Sequence, residues 1–106
     1  MEDLASKKCV GHDQVKALSE DQIKEYLHQI KQWELLESKI QKTFKFNEFT
    51  EAMDFVNKVA KLAEEEGHHP DIEINYTKVT FTLSTHFLGG LSENDFIIGA
   101  KIDQIT

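Results

Sequence analysis

Three of the five histidines of this chain lie between positions 68 and 86, where their side chains could share one site. His68 and His69 are adjacent and are followed by Pro70, the single proline, whereas His86 comes after two stretches of alternating apolar residues. Imidazole is the side chain that most readily exchanges protons near neutral pH. The spacing therefore indicates proton-transfer chemistry, provided that the fold brings the three rings together.

Two predicted strands would bring these histidines together. Apolar residues alternate over positions 72–76 and again over 79–83, and Thr77 and Lys78 mark a turn between them. If the two strands pair, position 69 falls roughly opposite positions 84 to 86, and the hairpin returns His86 to the first two histidines. Pro70 directs the residue before it toward an extended backbone, so the loop can turn both rings toward one cavity.

The chemistry of such a cluster stays open at this point. Three neutral imidazoles can bind a metal ion, although no second pair of ligands supports such a site. Alternatively, one imidazole can donate a proton while another accepts one. Nucleophilic catalysis is poorly supported, because Cys9 lies in the N-terminal segment and Ser84 lacks a glycine-framed elbow. In the remaining alternative, the three histidines lie apart on the surface and form no functional site.

Composition limits the class of protein. The 106 residues predict one domain, 1–106, in which the polar residues 1–18, with His12 in a solvated loop, form a loosely ordered arm. A net charge of −7 with scattered lysines argues against direct nucleic-acid binding. The single cysteine excludes an intramolecular disulfide, and we find neither a signal peptide nor a membrane span. We therefore expect a cytoplasmic or also nuclear protein.

The remaining periodicities predict three helices and a further hairpin. Ser19 and Gln22 fit a capping box that begins a helix ending near Lys31, with His28 on its exposed side. Positions 33–37 and 40–46 form two short strands. Asn47 can cap a second helix, whose apolar stripe runs to Ala63 and which ends at Gly67, a residue suited to a left-handed C-cap.

A last helix begins at a second capping box, formed by Ser92 and Asp95. Its apolar surface, from Phe96 to Ile105, is wider than one sheet contact covers, which indicates helix packing, including packing between subunits. Together the elements predict an α+β fold in the order α-β-β-α-β-β-α. In this fold one four-stranded antiparallel sheet carries three helices on one face.

At this point the residues match a known pattern. The sequence resembles the signature of the pterin-4a-carbinolamine dehydratases, also called 4a-hydroxytetrahydrobiopterin dehydratases, over roughly residues 19 to 105. The matching positions are Glu64, His68-His69-Pro70, Tyr76, His86, Gly90-Leu91-Ser92 and Asp95. The segment Lys78–His86 also resembles the last strand of the family. The double histidine alone would be a weak motif, whereas the combined spacing is specific.

The resemblance implies the same α+β fold and an enzyme that removes water from 4a-hydroxytetrahydrobiopterin in tetrahydrobiopterin recycling, with no metal or organic cofactor. It implies that His68, His69 and His86 are catalytic. We expect His68 and His86 to form the acid–base pair and His69 to bind the pterin. The residues expected to orient the imidazoles or to shape the substrate pocket are Glu64, Gly67, Pro70, Ser84, Thr85 and Phe87.

The resemblance also implies partners. Family members are commonly dimers or tetramers, and some animal members act as coactivators that bind a homeodomain transcription factor. This sequence departs from the animal pattern twice. Gly67 stands where an acidic residue commonly precedes the histidines, and Phe87 stands where a glutamate commonly follows the third. The pocket rim is therefore less acidic, which would affect the choice of pterin and the coactivator surface. A pterin site without activity is the third alternative.

Overall fold

The computed structural model describes residues 3–11 and 13–106, so the prediction of a solvated His12 lies outside the described residues. Three helices and four strands follow in the predicted order, and short 3-10 turns lie at Leu4–Ser6 and His86–Leu88. The elements are α1 Glu20–Gln29, β1 Glu34–Leu36, β2 Lys39–Lys45, α2 Phe49–Glu66, β3 Asp71–Asn75, β4 Lys78–Leu83 and α3 Glu93–Gln104. The predicted α+β fold is confirmed.

One antiparallel sheet has the strand order β1-β2-β4-β3. Ile40 pairs with Leu83 and Phe44 with Val79, and these side chains are buried on the face that the helices cover. The opposite face carries small polar side chains that hydrogen-bond across the strands, such as Thr43 to Thr80 at 2.8 Å. Alternation between apolar and polar residues thus decides which face of the sheet receives the helices.

The helix ends follow the sequence signals, with one exception. Both predicted capping boxes form, at Ser19 and at Ser92, and Gly67 closes α2 in the left-handed region at φ 68°. The prediction that Asn47 caps α2 is wrong. Glu48 occupies the N-cap position and its side chain makes no capping hydrogen bond, because the helix begins one residue later than Asn47 would require.

The N-terminal segment differs from the loosely ordered arm expected from its polarity. Leu4 and Ala5 are buried against α3, and Lys101 Nζ of α3 donates a hydrogen bond to the Ala5 carbonyl at 2.8 Å. The first part of the arm is therefore packed against α3, whereas its described residues from position 11 to 18 are exposed or half-buried. Its docking also provides the cover that the wide apolar surface of α3 requires.

That surface is covered within one chain. Phe96, Ile97, Ile98 and Ile102 are buried, whereas Ile105 is partly exposed. Tyr26 of α1 stacks on Phe96 with the ring centres 5.4 Å apart. The predicted helix packing of this surface is confirmed, because the N-terminal segment and α1 cover it within one chain. Packing between subunits stays a prediction. Within the described residues, no helix combines the length and apolarity needed to cross a membrane.

Candidate active site

The end of α2 places His68 in the interior. The Gly67 and His68 backbone N–H groups both donate to the Ala63 carbonyl, at 2.9 and 3.3 Å, and this turn directs the chain inward. The His68 side chain is 9% exposed, and its Nε2 lies 2.6 Å from Asp95 Oδ1. A buried imidazole held by a carboxylate has a fixed ring orientation, as a proton-transfer group requires.

Asp95 is fully buried and is the centre of a hydrogen-bond network. Its Oδ2 accepts the Ser92 backbone N–H at 2.9 Å and the Thr85 hydroxyl at 2.8 Å. The Thr85 and Ser92 hydroxyl oxygens are 2.7 Å apart, and since Thr85 donates to Asp95, Ser92 donates to Thr85. One carboxylate therefore caps α3 and also fixes His68, so helix initiation and site geometry depend on the same group.

The other two histidines lie at the surface. His69 Nε2 lies 2.5 Å from Glu64 Oε2, and both side chains are exposed. Glu64 belongs to the last turn of α2, so the acidic end of that helix supplies a partner for an imidazole. His86 is exposed and begins the 3-10 turn that follows β4. The β3–β4 hairpin, with Asp71 opposite Thr82, returns the chain to the first two histidines.

All three histidines line one cavity of about 200 Å³. It is lined by Gly67, His68, His69, Ser84, Thr85, His86 and Phe87. Seven of the nine residues expected at the site from the sequence thus line this cavity. Of the other two, Glu64 hydrogen-bonds to His69, and Pro70 follows His69 in the chain. Among the described residues, no group of three His, Cys, Asp or Glu side chains is arranged to hold a metal ion.

Asp95 was not among the expected site residues, although it stands in the family signature. Its capping-box position offered a complete local explanation, and nothing in the local sequence points to a histidine 27 residues away.

The thiol of Cys9 is a poor nucleophile in this structure. Burial, with the charge of Glu66 as the next cause, raises the pKa of Cys9 to about 12, so the thiol stays protonated near neutral pH.

The fold and the site define a small α+β protein with three histidines on one cavity and a buried carboxylate behind one of them. Residues 16–105 match the sequence model of the family described as pterin 4 alpha carbinolamine dehydratase. The chain therefore belongs to the pterin-4a-carbinolamine dehydratase family.

Individual relatives agree with this assignment. A relative from Nitrosococcus oceani that carries the family's name is 44% identical over 99% of this chain and 97% of its own length. Another, from Nostoc sp. PCC 7120, is 50% identical over 84% of this chain and 96% of its own. A crystal structure of a transcriptional coactivator/pterin dehydratase from Brucella melitensis has a TM-score of 0.81 at 32% identity, covering 85% of this chain and 98% of that one.

Proposed function

We propose that this protein dehydrates 4a-hydroxytetrahydrobiopterin to quinonoid dihydrobiopterin, in the recycling of tetrahydrobiopterin, by histidine acid–base catalysis. The observation that carries the proposal is the cavity onto which His68, His69 and His86 open, with the buried Asp95 fixing His68 from behind. Family membership supports the substrate class, and the site geometry supports the division of labour among the histidines.

The reaction needs an acid and a base at once. Hydroxide is a poor leaving group, so an acid must protonate the 4a-oxygen as the carbon–oxygen bond breaks and water leaves. The adjacent ring nitrogen supplies the electron pair that forms the new carbon–nitrogen double bond. That nitrogen then loses its proton to a base. Two imidazoles in opposite protonation states on one cavity can serve both needs without a further reactant.

The hydrogen bond to Asp95 assigns His68 as the base through its geometry. An ionised carboxylate only accepts hydrogen bonds, so Nε2 of His68 donates to it and Nδ1 remains free to accept a proton. Asp95 then stabilises the imidazolium that forms, as a buried carboxylate does behind a catalytic histidine in other enzymes. His86, exposed at the cavity rim, is assigned as the acid.

His69 is assigned to substrate binding, with its ring oriented by Glu64. Ser84 and Thr85 give the cavity a wall with buried hydroxyl-bearing side chains, whereas Phe87, 54% exposed, gives it an apolar edge. A pterin is a flat bicycle with one polar edge, so it can hydrogen-bond to the polar wall while its ring lies against the phenyl group.

The test is dehydration of chemically prepared 4a-hydroxytetrahydrobiopterin by purified variants. We expect His68→Ala and His86→Ala each to lower kcat by about 10²- to 10⁴-fold, the usual contribution of a general acid or base. His69→Ala should chiefly raise KM. The matched control is His28→Ala, which removes an exposed histidine of α1. Wild-type rates in all three site variants would contradict the proposal.

A coactivator role is the second candidate, because the name of the Brucella melitensis structure joins that role to pterin dehydratase. The apolar residues of α3 are buried within the chain, so a homeodomain partner would have to bind another surface. Binding of a dimerisation-helix peptide from such a transcription factor, retained in His68→Ala, would support this second role. An absence of binding together with rapid turnover would favour the enzyme alone.

A further inference from the structure

Residues 4–10, termed the N-terminal strap below, connect two helix ends through backbone hydrogen bonds. The Cys9 N–H donates to Glu66 Oε1 at 2.8 Å. The Val10 N–H donates to Asn94 Oδ1 at 3.0 Å, and the Val10 carbonyl accepts from Asn94 Nδ2 at 2.9 Å. Two consecutive residues of the strap thus bind side chains from two different helices.

These two anchors adjoin the central hydrogen bond of the candidate site. Glu66 is the last residue of α2, two positions before His68, and Asn94 lies in the first turn of α3 beside Asp95. The strap therefore joins the two helix ends that carry the partners of the 2.6 Å bond between His68 and Asp95. A displacement of either helix end would change the position of the imidazole relative to the carboxylate.

The anchors are built into the protein interior. Asn94 is 2% exposed and the Glu66 side chain is 8% exposed. Glu66 Oε2 also lies 3.8 Å from Lys101 Nζ, the group that donates to the Ala5 carbonyl of the strap. A buried polar group that loses its hydrogen-bond partner destabilises the fold, because it has given up its hydration without a replacement. These bonds therefore favour the one separation of the two helix ends at which all of them can form.

We propose that the N-terminal strap, acting through Glu66 and Asn94, positions His68 against Asp95 for proton transfer. This inference rests on the proposed function above and goes beyond the family assignment, because the family's sequence model begins at residue 16 and does not include the strap. Glu66 and Asn94 are positioning residues in this account, since neither lines the cavity of the histidines.

The effect belongs to kcat rather than to KM. Removal of an anchor replaces none of the residues that line the cavity, so substrate binding should be largely retained. The alignment of a reacting group is sensitive, however, and a displacement of about 1 Å can cost up to about 10²-fold in rate. We therefore expect kcat to fall about 5- to 50-fold when an anchor is removed, with KM within about twofold of wild type.

Glu66 offers a matched pair of variants. Glu66→Ala removes the acceptor for the Cys9 N–H, whereas Glu66→Gln keeps an oxygen acceptor there and removes the charge near Lys101. We expect Glu66→Ala to show the lowered kcat and Glu66→Gln to restore it. Asn94→Ala tests the second anchor independently, should Glu66→Ala not fold. Ser6→Ala is the control, since it loses one exposed hydrogen bond, to the Asp3 carbonyl, within the same segment.

A second readout, the ¹⁵N chemical shifts of the His68 ring, reports the hydrogen bond to Asp95 without any substrate. We expect these shifts to move in Glu66→Ala and Asn94→Ala and to stay at wild-type values in Glu66→Gln and Ser6→Ala. If wild type is inactive, the proposed function fails, and these shifts alone decide the role of the strap. Unmoved shifts, or equal kcat in Glu66→Ala and Glu66→Gln, would overturn the inference.

Discussion

At the residue scale, the site depends on one buried carboxylate with two duties. Asp95 binds the Ser92 N–H that begins α3 and binds Nε2 of His68. The sequence predicted the three histidines and the capping box separately. It did not predict that one side chain joins them, because a capping box is a local pattern and the contact with His68 arises only when α2 and α3 pack.

Asp95→Asn should therefore inactivate the protein without unfolding it. The Ser92 N–H and the Thr85 hydroxyl both need an oxygen acceptor, so the new amide nitrogen must face His68. Nε2 of His68 would then accept, and the proton would move to Nδ1, the nitrogen needed as the base. We expect kcat to fall at least about 10²-fold, because other enzymes lose activity when their catalytic histidine is held in the wrong tautomer.

The matched control for this change is Ser19→Ala, which removes the other capping box. It should cost about 1 kcal/mol of unfolding free energy and leave kcat unchanged, because α1 carries no site residue. Denaturant unfolding and steady-state kinetics measure both quantities. An Asp95→Asn protein with wild-type kcat would show that the carboxylate does not set the tautomer.

At the element scale, the helices and strands were predictable and the docking of the N-terminal segment was not. Periodic apolar residues specify α2 and β4, whose buried stripes are long. The strap has only a few apolar residues, and much of its attachment uses backbone groups of Cys9 and Val10. Hydrogen bonds of backbone groups do not depend on residue type and therefore cannot be read from the sequence. The polarity of the segment was the available signal, and it suggested a loose arm.

Leu4→Ala tests whether this segment contributes to stability. Leu4 is 2% exposed and packs in the core, so its truncation should lower the free energy of unfolding by about 2–4 kcal/mol. Leu36→Ala makes the same chemical change at a side chain that is 41% exposed and should cost under about 1 kcal/mol. Equal losses for the two variants would indicate a loosely held arm after all.

The stability of the fold should also depend on pH through Glu93, which binds Lys7 of the N-terminal strap. Burial alone would raise the pKa of Glu93, but hydrogen bonds from Lys7 and Tyr26 and the charge of Lys7 outweigh it and lower this pKa below 4.5. The hydrogen bond to Glu93 in turn raises the pKa of Tyr26 to about 12. This cluster joins the N-terminal segment, α1 and α3.

A carboxylate whose pKa is lowered in the folded state stabilises the fold at pH values above its ordinary pKa. That contribution is lost as the pH falls through the pKa of the folded state. We expect Glu93→Gln to reduce the free energy of unfolding at pH 7 and to have a smaller effect at about pH 3. Urea unfolding at both pH values measures this difference. A pH-independent effect of the substitution would contradict the assignment of a charged Glu93.

At the scale of the whole molecule, β3 forms an edge of the sheet that carries apolar residues, and among the described residues no further strand pairs with it. Ile72 and Ile74 of β3 pair with Phe81 and Val79 and so lie on the helix side of the sheet, yet both are exposed. Tyr76 is exposed too and stacks on Phe49 of α2 at 6.3 Å. Apolar residues at a free strand edge favour association with a second copy.

We expect a homo-oligomer that uses this edge, and light scattering should give a mass above the 12.2 kDa of one chain. Ile74→Lys should shift the mass toward that of the monomer, because it places a charge on the apolar side of β3. The control is Asn75→Lys, which adds the same charge on the opposite side of the strand and should leave the mass unchanged. A monomeric wild-type protein would rule out this assembly.

The most direct test of the central claim is the rate at which purified wild-type protein dehydrates 4a-hydroxytetrahydrobiopterin near pH 7, followed by stopped-flow absorbance. A variant with His68, His69 and His86 all changed to alanine provides the comparison. We predict rapid multiple turnover by the wild type and a rate with the triple variant close to that of the uncatalysed reaction. A wild-type rate equal to that of the triple variant would contradict the account.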